Sequence, residues 1–418
     1  MTRAVHEQVV VVLGASSGIG RETALRFADR GAKVVAAARG EPGLRSLVDE
    51  IATRGGEAVY RVCDVANFAQ VQAVAQEASD RFGRIDTWVN VAATSVYGRF
   101  EETTPEEFRR VIEVNYLGQV HGFLAALPHL RRAGGGALIA ISSLESIVSL
   151  PLHASYSASK HAVEGAIDAL RRELIAEKAP ISVTSVKPGT INTPFFDNTR
   201  NKMDVRPQGP PPFYDPGVVA DCVLYAAEHP VRDLFAGGAA KMMATTQMLA
   251  PKLVDAALAR FGIPAERRNE PEHGSAPGNL YAPRIEESRR DGDFTSRARR
   301  VSVYTWIETH PPVKLIAAGT VLAGLALLIG RRRGDGKGGV RSRVDLYEGD
   351  AGERRRPDEN GRVPDQGGQW QTISEGVSAS PPGSVVGQTG PGIPDDTSRP
   401  IEISPEEERR IAESIRAL

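Results

Sequence analysis

From Gln8 onward, short apolar runs alternate with longer amphipathic ones: "QVVVVL", then Arg21 to Arg30, "KVVAAA", Leu44 to Arg54, and "EAVYRV". Strands that alternate with helices pair in parallel and are joined by right-handed crossovers. Further strands read at "DTWVNV", "GALIAIS" and "ISVTSV", with helical stretches over 67–82, 105–131 and 154–178. A helix over 217–229 and a short strand at "RDLFAG" close the sheet. The expected fold class is α/β, a doubly wound parallel sheet of six or seven strands.

After Val186 the periodicity stops. "KPGTINTPFFDNTRNKMDVRPQGPPPFYDP" is a long Pro-bearing segment, and a loop of that length in a compact domain is functional or disordered. "AAKMMATTQMLAPKLVDAALARFG" reads as one or two helices, in which Met242, Met243 and Met248 either line a pliable apolar pocket or pack in the core. The first domain is expected over 1–263, followed by a charged linker over 264–312. Leu315 to Gly330 carries no charge, and with Val313 and a snorkelling Lys314 it predicts a transmembrane helix over 313–330. Residues 331–403, rich in Gly, Pro, Ser and charge, predict a disordered tail. Residues 404–418 predict a short terminal helix, with Ser404 as N-cap, Pro405 at the first position and Glu407 closing a capping box.

Net charge is −1 over 418 residues, which gives no basic excess for nucleic acid. Cys63 and Cys222 stand far apart without metal-ligand spacing, so neither a disulfide framework nor a metal site is expected. No signal peptide opens the chain, and the N-terminal domain is expected in the cytoplasm with membrane association through 313–330. That arrangement leaves the tail outside, whereas Arg331 to Arg333, Lys337, Arg341 and Arg343 favour keeping it inside.

Two stretches carry chemistry. "LGASSGIG" follows the first strand and precedes a helix, the context of a phosphate-binding Gly turn. Gly14 permits the tight turn, Gly18 lets backbone approach a dinucleotide, and Gly20 permits close helix packing, with Ser16, Ser17 and Ile19 between them. In "HASYSASK", Tyr156 and Lys160 stand one helical turn apart on one face. A Lys ammonium beside a Tyr is expected to lower the phenol's pKa, so that Tyr156 trades a proton with a substrate oxygen.

The three residues between Gly14 and Gly18, together with "YSASK" and "PGTINT", resemble the short-chain dehydrogenase/reductase family over roughly residues 8 to 240. The resemblance implies a Rossmann fold and a catalytic set of Asn115, Ser143, Tyr156 and Lys160. In that set Ser143 holds the substrate oxygen, Lys160 contacts the nicotinamide ribose, and Asn115 holds a water that links Lys160 to solvent. It also implies that Asp64 contacts the adenine and Thr193 the nicotinamide carboxamide, and that Val65, Asn90, Pro188 and Gly189 belong to the cofactor-binding set. The usual N-N-A-G reads "NVAA" here, and Ala93 in place of Gly tightens the backbone at that point.

At the end of the second strand Ala38 and Arg39 replace the carboxylate that would accept from the NAD ribose. Arg39 is suited to a 2′-phosphate, so NADP(H) is the expected cofactor; the competing reading of Arg39 is a solvated charge. His153 and His161 are expected to be structural or exposed. The leading reading is an NADP-dependent oxidoreductase acting on the carbonyl or secondary alcohol of an apolar small molecule. A reductase of soluble 3-ketoacyl thioesters and a membrane-anchored dinucleotide-binding scaffold without turnover are the alternatives. A homo-oligomer through the fourth and fifth helices is implied by the resemblance.

Overall fold

A computed structural model describes residues 3–272, 277–284, 288–311 and 313. Seven strands form one sheet: β1 (Val9–Leu13), β2 (Lys33–Ala38), β3 (Glu57–Val62), β4 (Thr87–Asn90), β5 (Gly136–Ile141), β6 (Ile181–Pro188) and β7 (Asp233–Ala236). Their order is β7-β6-β5-β4-β1-β2-β3 and every neighbouring pair is parallel. The order reverses between β1 and β4, and the crevice at such a switch point is where an open α/β sheet binds ligands.

Alternation along β1 explains why helices cover both faces. Val10 and Val12 pack on one side with Phe27 of α1 (Gly18–Asp29), Leu44 of α2 (Glu41–Thr53) and Val219 of α7 (Pro216–Glu228). Val11 and Leu13 point the other way, onto Val74 of α3 (Phe68–Phe82), Phe123 of α5 (Gly118–Arg132) and Val163 of α6 (Ala154–Ala176). All five β1 side chains are buried, each contributing about 1.5 to 3 kcal/mol if fully removed from water.

The helix expected over 105–131 is divided. α4 (Pro105–Ile112) opens with a capping box, in which the Thr104 hydroxyl accepts from the Glu107 amide at 3.3 Å and the Glu107 carboxylate accepts from the Thr104 amide at 2.9 Å. A π-helical turn at Glu113–Leu117 separates it from α5. Such a turn inserts an extra residue into the helix, a device common at functional sites, and here it carries Asn115.

The long segment after Val186 is ordered. Thr190–Ile191 pairs with Phe213–Tyr214, and Arg200–Asn201 pairs with Val96–Tyr97. Helices α8 (Gly238–Leu249) and α9 (Pro251–Ala265) follow β7.

The boundary at 263 and the charged linker over 264–312 need correction. Pro264 lies inside α9, and Arg267–Pro271 pairs antiparallel with Val205–Pro207. Leu280 is fully buried against Val96 and Val111, and α10 (Val303–Glu308) docks on β7, where the Thr305 hydroxyl accepts from the Gly237 amide at 3.0 Å. The high charge of this stretch misled because its charges are paired rather than solvated: Arg290 bridges Glu22 at 2.6 Å and Asp215 at 2.5 Å, and Arg268 meets Asp293 at 3.0 Å. The expected transmembrane helix beyond Val313, the tail and the terminal helix lie outside the described residues. Among the described residues no helix is long and apolar enough to cross a membrane.

Candidate active site

The carboxyl ends of β1, β2 and β4 to β6 open onto one cleft. Its floor is the Gly turn. Gly14 has φ +90°, and a Cβ there would lie 2.5 Å from the Ala92 amide nitrogen, so only Gly allows the two loops to meet. A Cβ on Gly20 would lie 2.0 Å from the Gly14 carbonyl oxygen, which makes this glycine a packing residue that seats α1 against the turn. Ser16, Ser17, Gly18 and Ile19 line the cleft above it.

At one end stand Arg39, Asp64 and Val65. The Asp64 carboxylate accepts from Arg110 at 2.7 Å and from the Ala66 amide at 3.0 Å. Burial opposes its ionisation, but these donors and Arg39 hold it below the usual carboxylate range. Arg39 donates through Nη2 to the Asn279 carbonyl at 2.5 Å, while its Nη1 is buried and has no partner among the described residues. A guanidinium nitrogen left unsatisfied at the lip of a cleft fits an anionic ligand. The glycine cradle and this orphaned donor are what a nucleotide cofactor with its phosphates requires.

At the other end Pro188, Gly189 and Thr193 face Ser143, Tyr156 and Lys160. The Ser143 hydroxyl accepts from the Glu145 amide at 3.0 Å and borders the cleft together with the Tyr156 phenol. Lys160 is buried, and its ammonium donates to the Ile141 carbonyl at 2.8 Å and sits 5.4 Å from the Tyr156 ring centroid. Burial pulls Lys160 down to about 8, with the Glu145 and Glu164 carboxylates partly holding it up. Burial and then Glu145 raise the Tyr156 phenol above its ordinary value, and Ser143 pulls the other way. The net shift of the Tyr156 phenol is thus upward, opposite to the lowering expected from the sequence, because burial and the Glu145 charge raise it.

A second polar layer backs the phenol. His153 Nδ1 and Glu145 Oε1 are 2.8 Å apart, His153 Nε2 meets the Ser95 hydroxyl, and Ser157 donates to Glu145 at 2.6 Å. The His153 ring stacks between Tyr97 and Tyr156, at 4.1 and 4.6 Å between centroids. It fixes the plane in which Tyr156 presents its hydroxyl.

The model of the short chain dehydrogenase family matches residues 8–204. The chain is 37% identical over 332 residues to the uncharacterized oxidoreductase YxnA of Bacillus subtilis, a match that covers 78% of this chain and 91% of that one. The chain belongs to the short chain dehydrogenase family. It is an oxidoreductase of the dehydrogenase/reductase type. Dehydrogenase/reductase SDR family member 7B of Bos taurus is 37% identical over 195 residues, 45% of this chain and 59% of that protein. A short chain dehydrogenase from Mycobacterium paratuberculosis bound to NAD is 26% identical, with a TM-score of 0.49 over 55% of this chain and 95% of its own.

Two expected site residues of this short chain dehydrogenase lie behind the cleft rather than in it. Asn90 accepts from the Trp88 indole at 2.9 Å and donates to the Gln119 carbonyl at 3.0 Å, because Gly122 brings α5 against it. Its side chain is a strut between β4 and α5. Asn115 accepts from the Thr94 amide at 2.8 Å and donates to the Thr94 carbonyl at 2.9 Å and to Ser159 at 3.0 Å, so its amide group clamps the Thr94 loop to α6.

Met242 and Met248 are mostly exposed and Met243 is partly buried, so the pliable Met pocket does not form. Apolar walls come instead from Leu144, Leu150, Phe195, Phe196 and Tyr97. Sequence reasoning missed Glu145 and the packing of His153, which no local pattern marks. It also missed Asn279, Pro283, Arg284 and Ser288, which border the cleft from the stretch taken as a linker.

Proposed function

We propose that the protein is an NADP(H)-dependent oxidoreductase that interconverts a carbonyl and a secondary alcohol on an apolar substrate. Arg39 carries this reading: it stands at the end of β2, where no carboxylate is present to receive a ribose 2′-hydroxyl, and it offers a buried, unpartnered donor. The apolar walls at the Tyr156 end support a substrate with little charge. When bound, the dinucleotide supplies or accepts a hydride at nicotinamide C4. Tyr156 hands its hydroxyl proton to the substrate oxygen during reduction and recovers it during oxidation, and Ser143 holds that oxygen in line. Lys160, neighbouring both, favours the phenolate while its ammonium is charged.

Fluorescence titration of the full chain with NADPH and NADH tests the cofactor reading. NADPH is expected to bind at least about tenfold tighter, and Arg39→Ala to remove the difference, since a charge-assisted hydrogen bond is worth about 1.5 to 3 kcal/mol. Equal affinities in the unsubstituted protein would sink it. With a turned-over ketone, Tyr156→Phe should lower the rate by about 10² to 10⁴ while leaving NADPH affinity unchanged.

The uncharged run Leu315 to Gly330 supports attachment to a membrane, with the catalytic domain on the cytoplasmic side. Exposed Leu117 and Leu124 on the fourth helical segment and Ile175 on α6 support a homo-oligomer through those helices.

A further inference from the structure

We infer that the dinucleotide site has a second wall, supplied by residues 277–284 and 288–295, which lie beyond the segment that the family model matches. The inference rests on the dinucleotide reading above. Starting at the adenine end, the Asn279 carbonyl accepts from Arg39 at 2.5 Å and the Asn279 side chain accepts from the Thr94 hydroxyl at 2.7 Å. The Asn279 amide donates to the Asn198 carbonyl at 2.6 Å, and Leu280 plugs the gap between Val96 and Val111. Ser288 sits over the start of α2, where a Cβ on Gly43 would lie 2.5 Å from its hydroxyl and 3.1 Å from Ser16. Over the Gly turn, the Arg289 carbonyl accepts from the Gly18 amide at 3.0 Å. At the nicotinamide end, Asn192 accepts from the Phe294 amide at 2.8 Å, and the Gly292 backbone lies so close to Thr193 that a Cβ would be 2.5 Å from its carbonyl oxygen.

The wall thus touches the groove at its adenine end, its pyrophosphate turn and its nicotinamide end, and the cleft persists beneath it. Asn279, Pro283, Arg284 and Ser288 border the same cleft as Gly14, Arg39 and Tyr156. Gly18 gives its amide to the wall, whereas among the described residues the Ile19 and Gly20 amides, which have no partner within the first turn of α1, receive no carbonyl from it. Arg284 donates to the Asp197 carbonyl at 2.5 Å and adds a guanidinium to the border of the cleft, suited to the pyrophosphate. A dinucleotide in this cleft meets the wall at its adenine end, at its pyrophosphate and at its nicotinamide end, so its release requires the wall to lift. Outside the cleft the wall is pinned by Arg290 on Glu22 at 2.6 Å and on Asp215 at 2.5 Å, and by Asp293 at 3.0 Å on both Arg206 and Arg268.

Hydrogen exchange of the full chain with and without NADPH, read by mass spectrometry, tests the assignment together with the NADPH release rate from stopped-flow displacement. Slower exchange across 277–284 and 288–295 on adding NADPH is expected. Release from Arg290→Ala, which removes a pin outside the cleft, should be at least tenfold faster. Faster exchange of the wall on adding NADPH would mean that the dinucleotide displaces it, and would overturn the inference. So would an unchanged release rate in Arg290→Ala when exchange shows its wall loosened. Failure of the unsubstituted protein to bind either dinucleotide is a different result, and removes the cofactor reading itself.

Discussion

Tyr156 is held at a protonation state that its neighbours, more than its sequence partner, decide. Its phenol is raised by burial and by the Glu145 carboxylate, and Glu145 in turn is tied to His153 and Ser157. Alcohol oxidation needs the phenolate to accept a proton, so its rate rises with pH through the phenol's pKa. Removing the Glu145 charge while keeping its shape removes a repulsion that disfavours the phenolate. Glu145→Gln is therefore expected to move the alkaline rise of the oxidation rate to lower pH, measured as kcat against pH with saturating cofactor. An unmoved profile would mean that desolvation alone sets the phenol. Tyr156, Lys160 and Ser143 were legible because their spacing reports a shared face and a family pattern. Glu145 and His153 were not, since their contact to Tyr156 and Ser95 is made by a turn and a loop that carry no periodic signal.

At the scale of elements, close approach of backbone decides where the cofactor turn sits. Ala in place of Gly20 would put a methyl 2.0 Å from the Gly14 carbonyl oxygen and 3.0 Å from Ala15 Cα, and backbone cannot swing away as a side chain does. Gly20→Ala should cost about 1 to 3 kcal/mol and abolish dinucleotide binding, read by thermal unfolding and fluorescence titration. Gly165→Ala makes the contrast. It lies inside α6 with nothing within 4 Å of the new methyl, so the melting temperature should rise, helix propensity alone being worth about 1 kcal/mol. A rise for both variants would show that α1 can shift without harm. The π-helical turn at Glu113–Leu117 is an element the apolar period could not reveal, because 105–131 reads as one amphipathic helix whether or not an extra residue is inserted.

For the whole molecule, the described stretch after α9 behaves as part of the catalytic domain. Leu280 closes a small apolar cluster with Val96 and Val111, so Leu280→Ala should destabilise the protein by about 2 to 5 kcal/mol in denaturant unfolding. A loss below about 0.5 kcal/mol would mean that this stretch is not seated on the domain in solution. Local order was determined by the sequence itself: the alternation of Val-rich runs with amphipathic helices, the glycines of the turn, and the Tyr156–Lys160 spacing all act over a few residues, where sterics and helix geometry leave little choice. Pairings across long separations belonged to the tertiary structure. Arg39 meets Asn279 and Glu22 meets Arg290, 240 and 268 residues apart, because ion pairs and buried carbonyls choose partners by proximity in the folded chain. A run of charged residues looks the same in sequence whether water or a protein surface receives it.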